Sequence, residues 1–194
     1  MGVYLYSNTY EYSYTFKWKT LAEITSEWTS TVWGVATNSD GATWTWQNND
    51  LNIVTPIPSL ATAKTVIISW TVVANDSTKN AWALYIGAES WWGTGRAGYQ
   101  VYGSYFTWLT CAYGDGTNHL WNKVGDGVWG NTYKPTVTID LENKLITGVL
   151  SWFSNSTLTL TDARVNHIRQ FEYLRVYAAA NWSTISDVSI RIEA

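Results

Sequence analysis

Two adjacent tryptophans, Trp91 and Trp92, are the residues of this sequence best suited to holding a ligand. They lie between Glu89 and Arg96 in the segment ESWWGTGR. Indole rings are large, flat and partly polar, so they can stack on the apolar faces of sugar rings. The glycines beside them would let a ligand approach the backbone. The alternative is a Trp-rich loop that covers a sheet edge or a neighbouring subunit, because side chains of this size are usually at least partly buried.

Trp44 and Trp46 are the second candidate pair for ligand binding. They alternate with Thr43 and Thr45, so both indoles share one face if the segment is a strand. That face would be either a platform for a sugar or a part of the protein core.

Glu89 and Glu172 are the acidic residues set among aromatic ones, which makes them candidates for glycoside hydrolysis. That reaction needs two carboxyl groups roughly 5–10 Å apart across a cleft. Glu172 shares its alternate position with Leu174, so a regular strand would turn the Glu172 side chain toward the core. Arg169 or Arg175 would then pair with it.

Oxygen-bearing side chains in predicted turns are candidate Ca²⁺ ligands. They are Asp40, Asp115, Asn118 and Asp126. Asp-Gly is first of all a turn signal, so these residues also have a purely structural explanation. His119 and His167 have no Cys or His close in sequence, and no zinc site is predicted. We expect no cofactor, with Ca²⁺ the one ion left open.

Three sequons permit N-glycosylation, and each falls in a predicted turn. They begin at Asn75, Asn155 and Asn181. A chain so rich in Asn, Ser and Thr would show about as many by chance, so they indicate nothing more.

Composition excludes some classes of function. The net charge is −3 with scattered Lys and Arg, so there is no basic field for nucleic acid. No apolar run is long enough to span a membrane, and the first 20 residues lack a signal-peptide pattern. Charged residues make up only 14% of the chain, against 14 Trp and 13 Tyr, so the surface must be polar and aromatic. Such a surface suits contact with sugars or with permanent subunits. The lone Cys111 is predicted to be a buried thiol.

The segment 135–152 has the clearest secondary-structure pattern in the chain. Val137, Ile139 and Leu141 alternate with polar residues, as in a strand with one buried face. A polar turn, in which Asn143 can take a positive φ, leads to a second apolar run. The segment therefore predicts a β-hairpin.

The hairpin resembles the late hairpin of concanavalin A-like and laminin-G-type sandwiches. The resemblance lies in the segment KPTVTIDLENKLITG over 134–148, and the closing segments YLRVY over 173–177 and SDVSI over 186–190 are similar to the final strand pair of that superfamily. It covers the C-terminal third. It implies a jelly-roll sandwich, with glycan binding as the best-known activity and with hydrolase or Ca²⁺-binding branches. None of the superfamily's ligand residues can be matched to a position here.

The fold prediction is one all-β domain over 1–194, a two-sheet antiparallel jelly-roll sandwich of about 10–13 strands with little or no helix. A short helical turn is expected over 20–28, and either strand or turn over 158–165. We expect one inner core face built from seven residues. These are Val137, Ile139, Leu141, Leu174, Val176, Val188 and Ile190.

Aromatic residues at even positions form a stripe near the start of the chain. They are Tyr4, Tyr6, Tyr10, Tyr12, Tyr14, Phe16 and Trp18. A strand would present them all on one side, which is too apolar to leave in water. We therefore expect residues 1–20 to be an extended assembly strand that adds to another subunit. The alternative is that the stripe covers its own sandwich.

The sequence thus favours a non-enzymatic, self-assembling structural subunit of a virion, filament or surface sheath, whose partners are copies of itself. The alternative is a carbohydrate-binding attachment module with glycan partners. Glycoside hydrolase is third. Either favoured function places the protein on a virion or outside the cell.

Overall fold

The computed structural model describes most of the chain. The described residues are 8–30, 35–44, 51–74, 82–88, 95–102, 108–115, 119–125, 132–149, 156–178 and 183–194. Within them there are sixteen strands and two short helices, which confirms the prediction of an all-β sandwich. No helix in this part of the chain is long and apolar enough to cross a bilayer.

All the strands pair antiparallel, and they form two sheets. In chain order the elements are β1 (Thr9–Thr15), α1 (Leu21–Glu27), β2 (Thr29–Ser30), β3 (Val35–Asn38), β4 (Gly41–Trp44), β5 (Leu51–Pro56), β6 (Thr65–Ala74), β7 (Trp82–Gly87), β8 (Arg96–Tyr102), β9 (Trp108–Gly114), β10 (His119–Gly125), β11 (Thr132–Tyr133), β12 (Thr136–Asp140), β13 (Leu145–Val149), β14 (Ser156–Thr159), α2 (Asp162–Ile168), β15 (Tyr173–Ala178) and β16 (Ser183–Glu193).

Sheet A has the order β14-β13-β12-β6-β16-β4-β3, with β1 also paired to β16 and β11 also paired to β6. Sheet B has the order β10-β9-β8-β7-β15-β5-β2. Neighbours in both sheets come from distant parts of the chain, as Greek-key connections require. The first and last described strands thus lie together in sheet A, while the consecutive strands β7 to β10 belong to sheet B.

The predicted hairpin is β12 and β13, in which Ile139 pairs with Ile146. Its turn differs in detail from the expectation for Asn143. The residue with positive φ is Lys144, at 58°, while the backbone N–H and side-chain amide of Asn143 both donate to the Asp140 carboxylate at 2.8 Å. Asn143 thus closes the turn through its side chain, and the next residue takes the left-handed conformation.

The seven predicted core residues are all buried in one cluster. They do not share one face, however. Val137, Ile139, Val188 and Ile190 belong to sheet A, and Leu174 belongs to sheet B. They line the core from both sides, because β15 is a strand of the opposite sheet rather than a neighbour of β16.

The aromatic stripe, as far as it is described, covers its own sandwich. Strand β1 runs along β16, with Tyr14 opposite Val188. Tyr14 and Phe16 are buried, and both contact the ring of Trp28 at the end of α1. This matches the alternative interpretation of the stripe. Because Tyr14 and Phe16 are buried within their own domain, they are not available for contact with another subunit.

Helix α1 occurs where a helical turn was expected. Thr20 and Glu23 form a capping box: the Thr20 N–H donates to Glu23 Oε2 at 2.7 Å, and the Glu23 N–H donates to Thr20 Oγ1 at 3.2 Å. Ile24 and Trp28, four residues apart, lie on the buried side. The helix therefore closes one edge of the sandwich between β1 and β2.

The expectation of strand or turn over 158–165 holds for Leu158 and Thr159 at the end of β14, but helix α2 begins at Asp162. Thr161 caps it by accepting the Arg164 N–H, and Val165 and Ile168 face the core. At seven residues the helix shows only two inward positions, too few for a helical period to stand out in the sequence.

Candidate functional site

Sheet B has an outer face, formed by the alternate residues that point away from the core. On β7, Leu84 and Ile86 belong to the core cluster while Tyr85 does not. The strand register aligns Tyr85 with Gly98 of β8 on one side and with Arg175 of β15 on the other. Residues from three strands therefore meet around Tyr85.

This outer face carries a buried layer of its own. Among the described residues, three buried apolar side chains lie outside the main core cluster: Val54, Tyr85 and Tyr177. Val54 pairs with Arg175, which is itself only 8% exposed. A face that merely met solvent would not bury a tyrosine and an arginine together.

Arg96 stacks on this layer. Its guanidinium carbon lies 5.4 Å from the centroid of the Tyr85 ring, within the range of a cation–π contact. The residues paired with Arg96 on both neighbouring strands are glycines, Gly87 and Gly114. No cross-strand side chain therefore competes with Arg96 for space. Arg96 is half-buried and meets solvent.

Two positive charges act on the Tyr85 hydroxyl. Burial raises the pKa of Tyr85, and the charges of Arg96 and Arg175 oppose that rise. The phenol therefore stays neutral at physiological pH and can both donate and accept a hydrogen bond.

Gly98, the residue beside Tyr85 on strand β8, has no side chain and so leaves this part of the outer face low. A Cβ at Gly98 would lie 2.2 Å from the Leu84 carbonyl oxygen, so strands β7 and β8 could not approach as closely with any other residue. The next position in this row, on β9, is Ala112. The row thus steps from a large aromatic residue to two small ones.

Of the predicted ligand residues, Arg96 lies on the outer face. Trp91 and Trp92 belong to the segment that joins β7 to β8, outside the described residues. The described ends of that segment meet where the Ala88 N–H donates to the Gly95 carbonyl at 3.2 Å, next to Arg96. Trp44 ends β4 of sheet A, so the structure does not bring its strand to Arg96. Trp46 lies outside the described residues.

Helix α2 supports one end of that connecting segment. A Cβ at Gly95 would lie 2.7 Å from Phe171 Cε1 and 2.9 Å from His167 Cε1, so the backbone there rests against both rings. His167 Nδ1 in turn lies 2.9 Å from the Tyr113 hydroxyl of β9. His167 is therefore a structural contact between helix and sheet.

Glu172 does not point into the core, as its alternation with Leu174 had suggested. It precedes β15 and is exposed; its N–H donates to the Gly87 carbonyl and its carbonyl accepts the Ile57 N–H. Its side chain lines a groove of about 320 Å³ between segments 56–59 and 169–173. Glu89 lies outside the described residues, so no catalytic pair can be measured.

Arg169 has a different role from the predicted pairing with Glu172. Its Nη1 donates to three backbone carbonyls, at 3.2, 2.8 and 2.9 Å. The acceptors are Leu60, Ala61 and Ala63. Arg169 therefore ties the end of α2 to the turn before β6.

A larger groove, of about 530 Å³, crosses sheet A. Hydroxyl side chains line it in one register row across four strands. They are Ser13, Ser189, Ser69 and Thr136. The aromatic residues of its lining, Tyr14 and Trp70, are buried in the core. This groove offers hydrogen bonds but no exposed described ring for stacking. The outer face of sheet B carries the half-buried ring of Tyr173 on β15, so sheet B is the better candidate for sugars.

The remaining predicted sites are placed as follows. Trp18 departs from the stripe: it has φ 59° and is 75% exposed. Asp115 is half-buried at the end of β9, and Asp40 lies in the β3–β4 turn. Within the described ranges no three His, Cys, Asp or Glu residues converge. The others fall outside those ranges, namely Tyr4, Tyr6, Asn75, Asn118, Asp126, Asn155 and Asn181.

Tyr85 and Arg175 were not predicted as site residues. Each sits in an apolar strand and reads in sequence as an ordinary strand position. The available signal was their alternation with Leu84, Ile86, Leu174 and Val176, which assigns both residues to the face opposite the core.

No protein-family model and no curated protein sequence matches the chain. Solved structures do match its fold. A Crh5 transglycosylase without ligand is 17% identical, with a TM-score of 0.62 over 94% of this chain and 83% of that one. The globular domain of T. cruzi calreticulin is 12% identical, with a TM-score of 0.61 over 92% and 86%. The carbohydrate-binding module CBM66 from Bacillus subtilis is 10% identical, with a TM-score of 0.54 over 81% and 91%.

Identities this low show the fold alone. The match extends over nearly the whole chain rather than its C-terminal third. It is consistent with the concanavalin A-like sandwich that the C-terminal strands resemble.

Proposed function

We propose that this chain is a non-catalytic carbohydrate-binding module and that its ligand lies on the outer face of sheet B. The observation that carries the proposal is that the half-buried Tyr173 and Arg96 lie on either side of Gly87 in one row of this face, beside the buried layer of Tyr85, Arg175 and Tyr177. This face combines aromatic rings with polar groups. A binding site for sugars needs both, because a sugar has apolar C–H faces and many hydroxyl groups.

The structural neighbours support this function more than a structural role in a virion. One is described as a carbohydrate-binding module, and another is a transglycosylase that also has a structure in complex with NAG. The same fold thus carries sugar-binding sites in other proteins. A protein that binds glycans would act outside the cell or on its surface.

The lack of acidic residues on the described strands of this face argues against a hydrolytic role. In their described ranges the seven strands of sheet B contain no Asp or Glu. Glycoside hydrolysis generally needs two carboxyl groups across the bound sugar. Glu172 lies beside this face rather than on a strand of it.

The test is a glycan array that holds both neutral and anionic glycans, followed by calorimetry on the ligands found. Tyr173→Ala removes a half-buried ring from the outer face, and Trp92→Ala removes the predicted stacking residue. Tyr10→Ala, a half-buried tyrosine on sheet A, is the matched control. We expect binding that either of the first two variants weakens and the control leaves unchanged. An empty array, or equal loss in all three variants, contradicts the proposal.

A further inference from the structure

We infer that the groove beside the start of β15, between segments 56–59 and 169–173, is a further subsite of the proposed glycan-binding face and holds one uncharged sugar residue. The inference rests on the proposed function. In this subsite the ring of Tyr173 stacks on the sugar, and the Glu172 carboxylate accepts hydrogen bonds from its hydroxyl groups. The groove has a volume of about 320 Å³, at the lower end of the range for small-molecule sites. That size suits a single sugar residue better than a long chain.

Tyr173 joins the groove to the outer face of sheet B. It begins β15, where it pairs with Gly87 on one side and with Pro56 on the other. Tyr173 and Pro56 both line the groove. The same tyrosine therefore belongs to the row that contains Arg96 and to the wall of the groove. A glycan on the outer face that extends past Tyr173 would place its next sugar residue in the groove.

The groove combines apolar surface with hydrogen-bonding groups. Its apolar surface comes from Pro56, Ile57 and Tyr173. Its exposed polar side chains are Ser59, Gln170 and Glu172. A sugar needs both kinds of contact, because its C–H faces are apolar and its hydroxyl groups are polar.

The Glu172 carboxylate is available to a ligand. Within the described part of the chain, no ion pair and no hydrogen bond engages its side chain. Its backbone, in contrast, is held on both sides: the N–H donates to the Gly87 carbonyl at 2.9 Å, and the carbonyl accepts the Ile57 N–H at 2.8 Å. An ionised carboxylate accepts hydrogen bonds through two oxygens, so it suits two hydroxyl groups of one ligand. Because the backbone is already ordered, less entropy is lost on binding.

The charge of the groove favours an uncharged ligand. Its described lining residues include one acid, Glu172, and one base, Arg169. Arg169 Nη1 donates to three backbone carbonyls, which fixes the arginine in place while its charge offsets that of the carboxylate. An anionic sugar would be repelled by Glu172, and a cationic sugar would be repelled by Arg169. A neutral ligand with many hydroxyl groups meets neither penalty.

The experiment combines the glycan array with calorimetry on neutral oligosaccharides of increasing length, made of glucose, mannose, galactose or N-acetylglucosamine. Array ligands of other composition are measured with the same variants. The test variants are Glu172→Ala and Gln170→Ala, both of exposed residues that line the groove. Glu142→Ala, which removes an exposed acid from the β12–β13 turn, is the matched control. Circular dichroism checks that each variant is folded.

We expect the strongest array ligands to be neutral glycans. Glu172→Ala should weaken their binding by about tenfold or more, as expected for the loss of hydrogen bonds to a charged acceptor. Gln170→Ala should act in the same direction but less, because an amide is uncharged, and Glu142→Ala should have no effect. The gain in affinity with oligosaccharide length should end one sugar residue earlier in Glu172→Ala, because one subsite is lost. A merely structural change would weaken all lengths alike.

Three results overturn the inference while leaving sugar binding intact. The first is a Glu172→Ala variant that binds every array ligand as tightly as the unchanged chain, which would confine the sugar to the outer face of sheet B. The second is a set of strongest array ligands that are all charged. The third is an equal loss with Glu142→Ala and Glu172→Ala. An array empty of all glycans instead contradicts the proposed function itself.

Discussion

Ile139 has no exposed surface and faces the core from the middle of β12. Its replacement by Ala removes three buried carbon atoms and leaves a cavity among neighbours held by two sheets. We expect Ile139→Ala to lower the free energy of unfolding by about 2–5 kcal/mol. Urea unfolding followed by tryptophan fluorescence measures the change.

Thr138→Ala is the matched control, because Thr138 is the next residue of the same strand and is turned the other way. It should change the stability by far less. If the two variants lose equal stability, the loss comes from changing the strand and not from removing the Ile139 side chain.

Asp187 makes the stability of the folded domain depend on pH. Burial alone would raise its pKa, but hydrogen bonds from Thr15, Ser186 and Lys17 and the Lys17 charge outweigh burial, so the pKa lies below the ordinary value for Asp. A carboxyl with a lower pKa in the folded state stabilises it at pH above the unfolded pKa of about 3.9. That stability is lost as the pH falls through the folded pKa.

We therefore expect Asp187→Asn to reduce stability at pH 7 but much less at pH 2. The difference should be below about 1 kcal/mol, because the side chain is half-exposed and salt screens the pair. Urea unfolding at the two pH values gives the comparison. An effect of equal size at both would mean that Asp187 acts through packing and not through its charge.

The capping box of α1 is a local feature that the sequence states directly as Thr-x-x-Glu. Thr20→Ala removes the acceptor for the Glu23 N–H and should cost about 0.5–2 kcal/mol. Thermal unfolding monitored by circular dichroism measures it. Thr25→Ala, within the same helix, keeps the cap and replaces a side chain that bonds to helix carbonyls, so it should be neutral or slightly stabilising.

Local sequence patterns predicted some of the secondary-structure elements. The β12–β13 hairpin followed from a period of two, and a short helical turn was expected over 20–28, where the structure has α1 with its capping box. Helix α2 could not be predicted in this way, since its two inward residues, Val165 and Ile168, are too few to define a helical period. The positive φ of Lys144 was missed for another reason: the preference of Asn143 for that conformation was overruled by its bonds to Asp140.

The candidate site depends on the pairing of strands that are distant in sequence, and no local sequence pattern reveals such pairing. Arg96 could be singled out beside the adjacent tryptophans. Its contact with Tyr85 requires the β7–β8 register, and the approach of Arg175 requires β15 to lie between β7 and β5. Residues about ninety positions apart meet only when the sheet forms, so composition and spacing cannot indicate their meeting.

At the scale of the whole molecule, β1 tests the assembly hypothesis. Deleting residues 1–16 removes β1 with Tyr14 and Phe16, which are buried in this domain. We expect the shortened chain to lose cooperative unfolding and its near-UV circular dichroism. A chain that stays folded but no longer assembles would favour the structural-subunit hypothesis instead.

Deleting only residues 1–7 provides the matched comparison, because it removes Tyr4 and Tyr6 and leaves β1 whole. Light scattering after size-exclusion chromatography gives the mass of each form. A polymer of the full chain that becomes a folded monomer without residues 1–7 would locate assembly in that segment.

The pairing of β1 with β16 also fixes how the domain would respond to tension. Thr9 pairs with Glu193, and the Ala194 N–H donates to the Asn8 carbonyl at 2.8 Å. Opposite pulls on Asn8 and Ala194 would act along the direction of the hydrogen bonds between these strands, which run perpendicular to both. The bonds would then break one at a time from that end, as a zipper opens, instead of sharing the load. The domain should yield at low force when it is pulled through these two points.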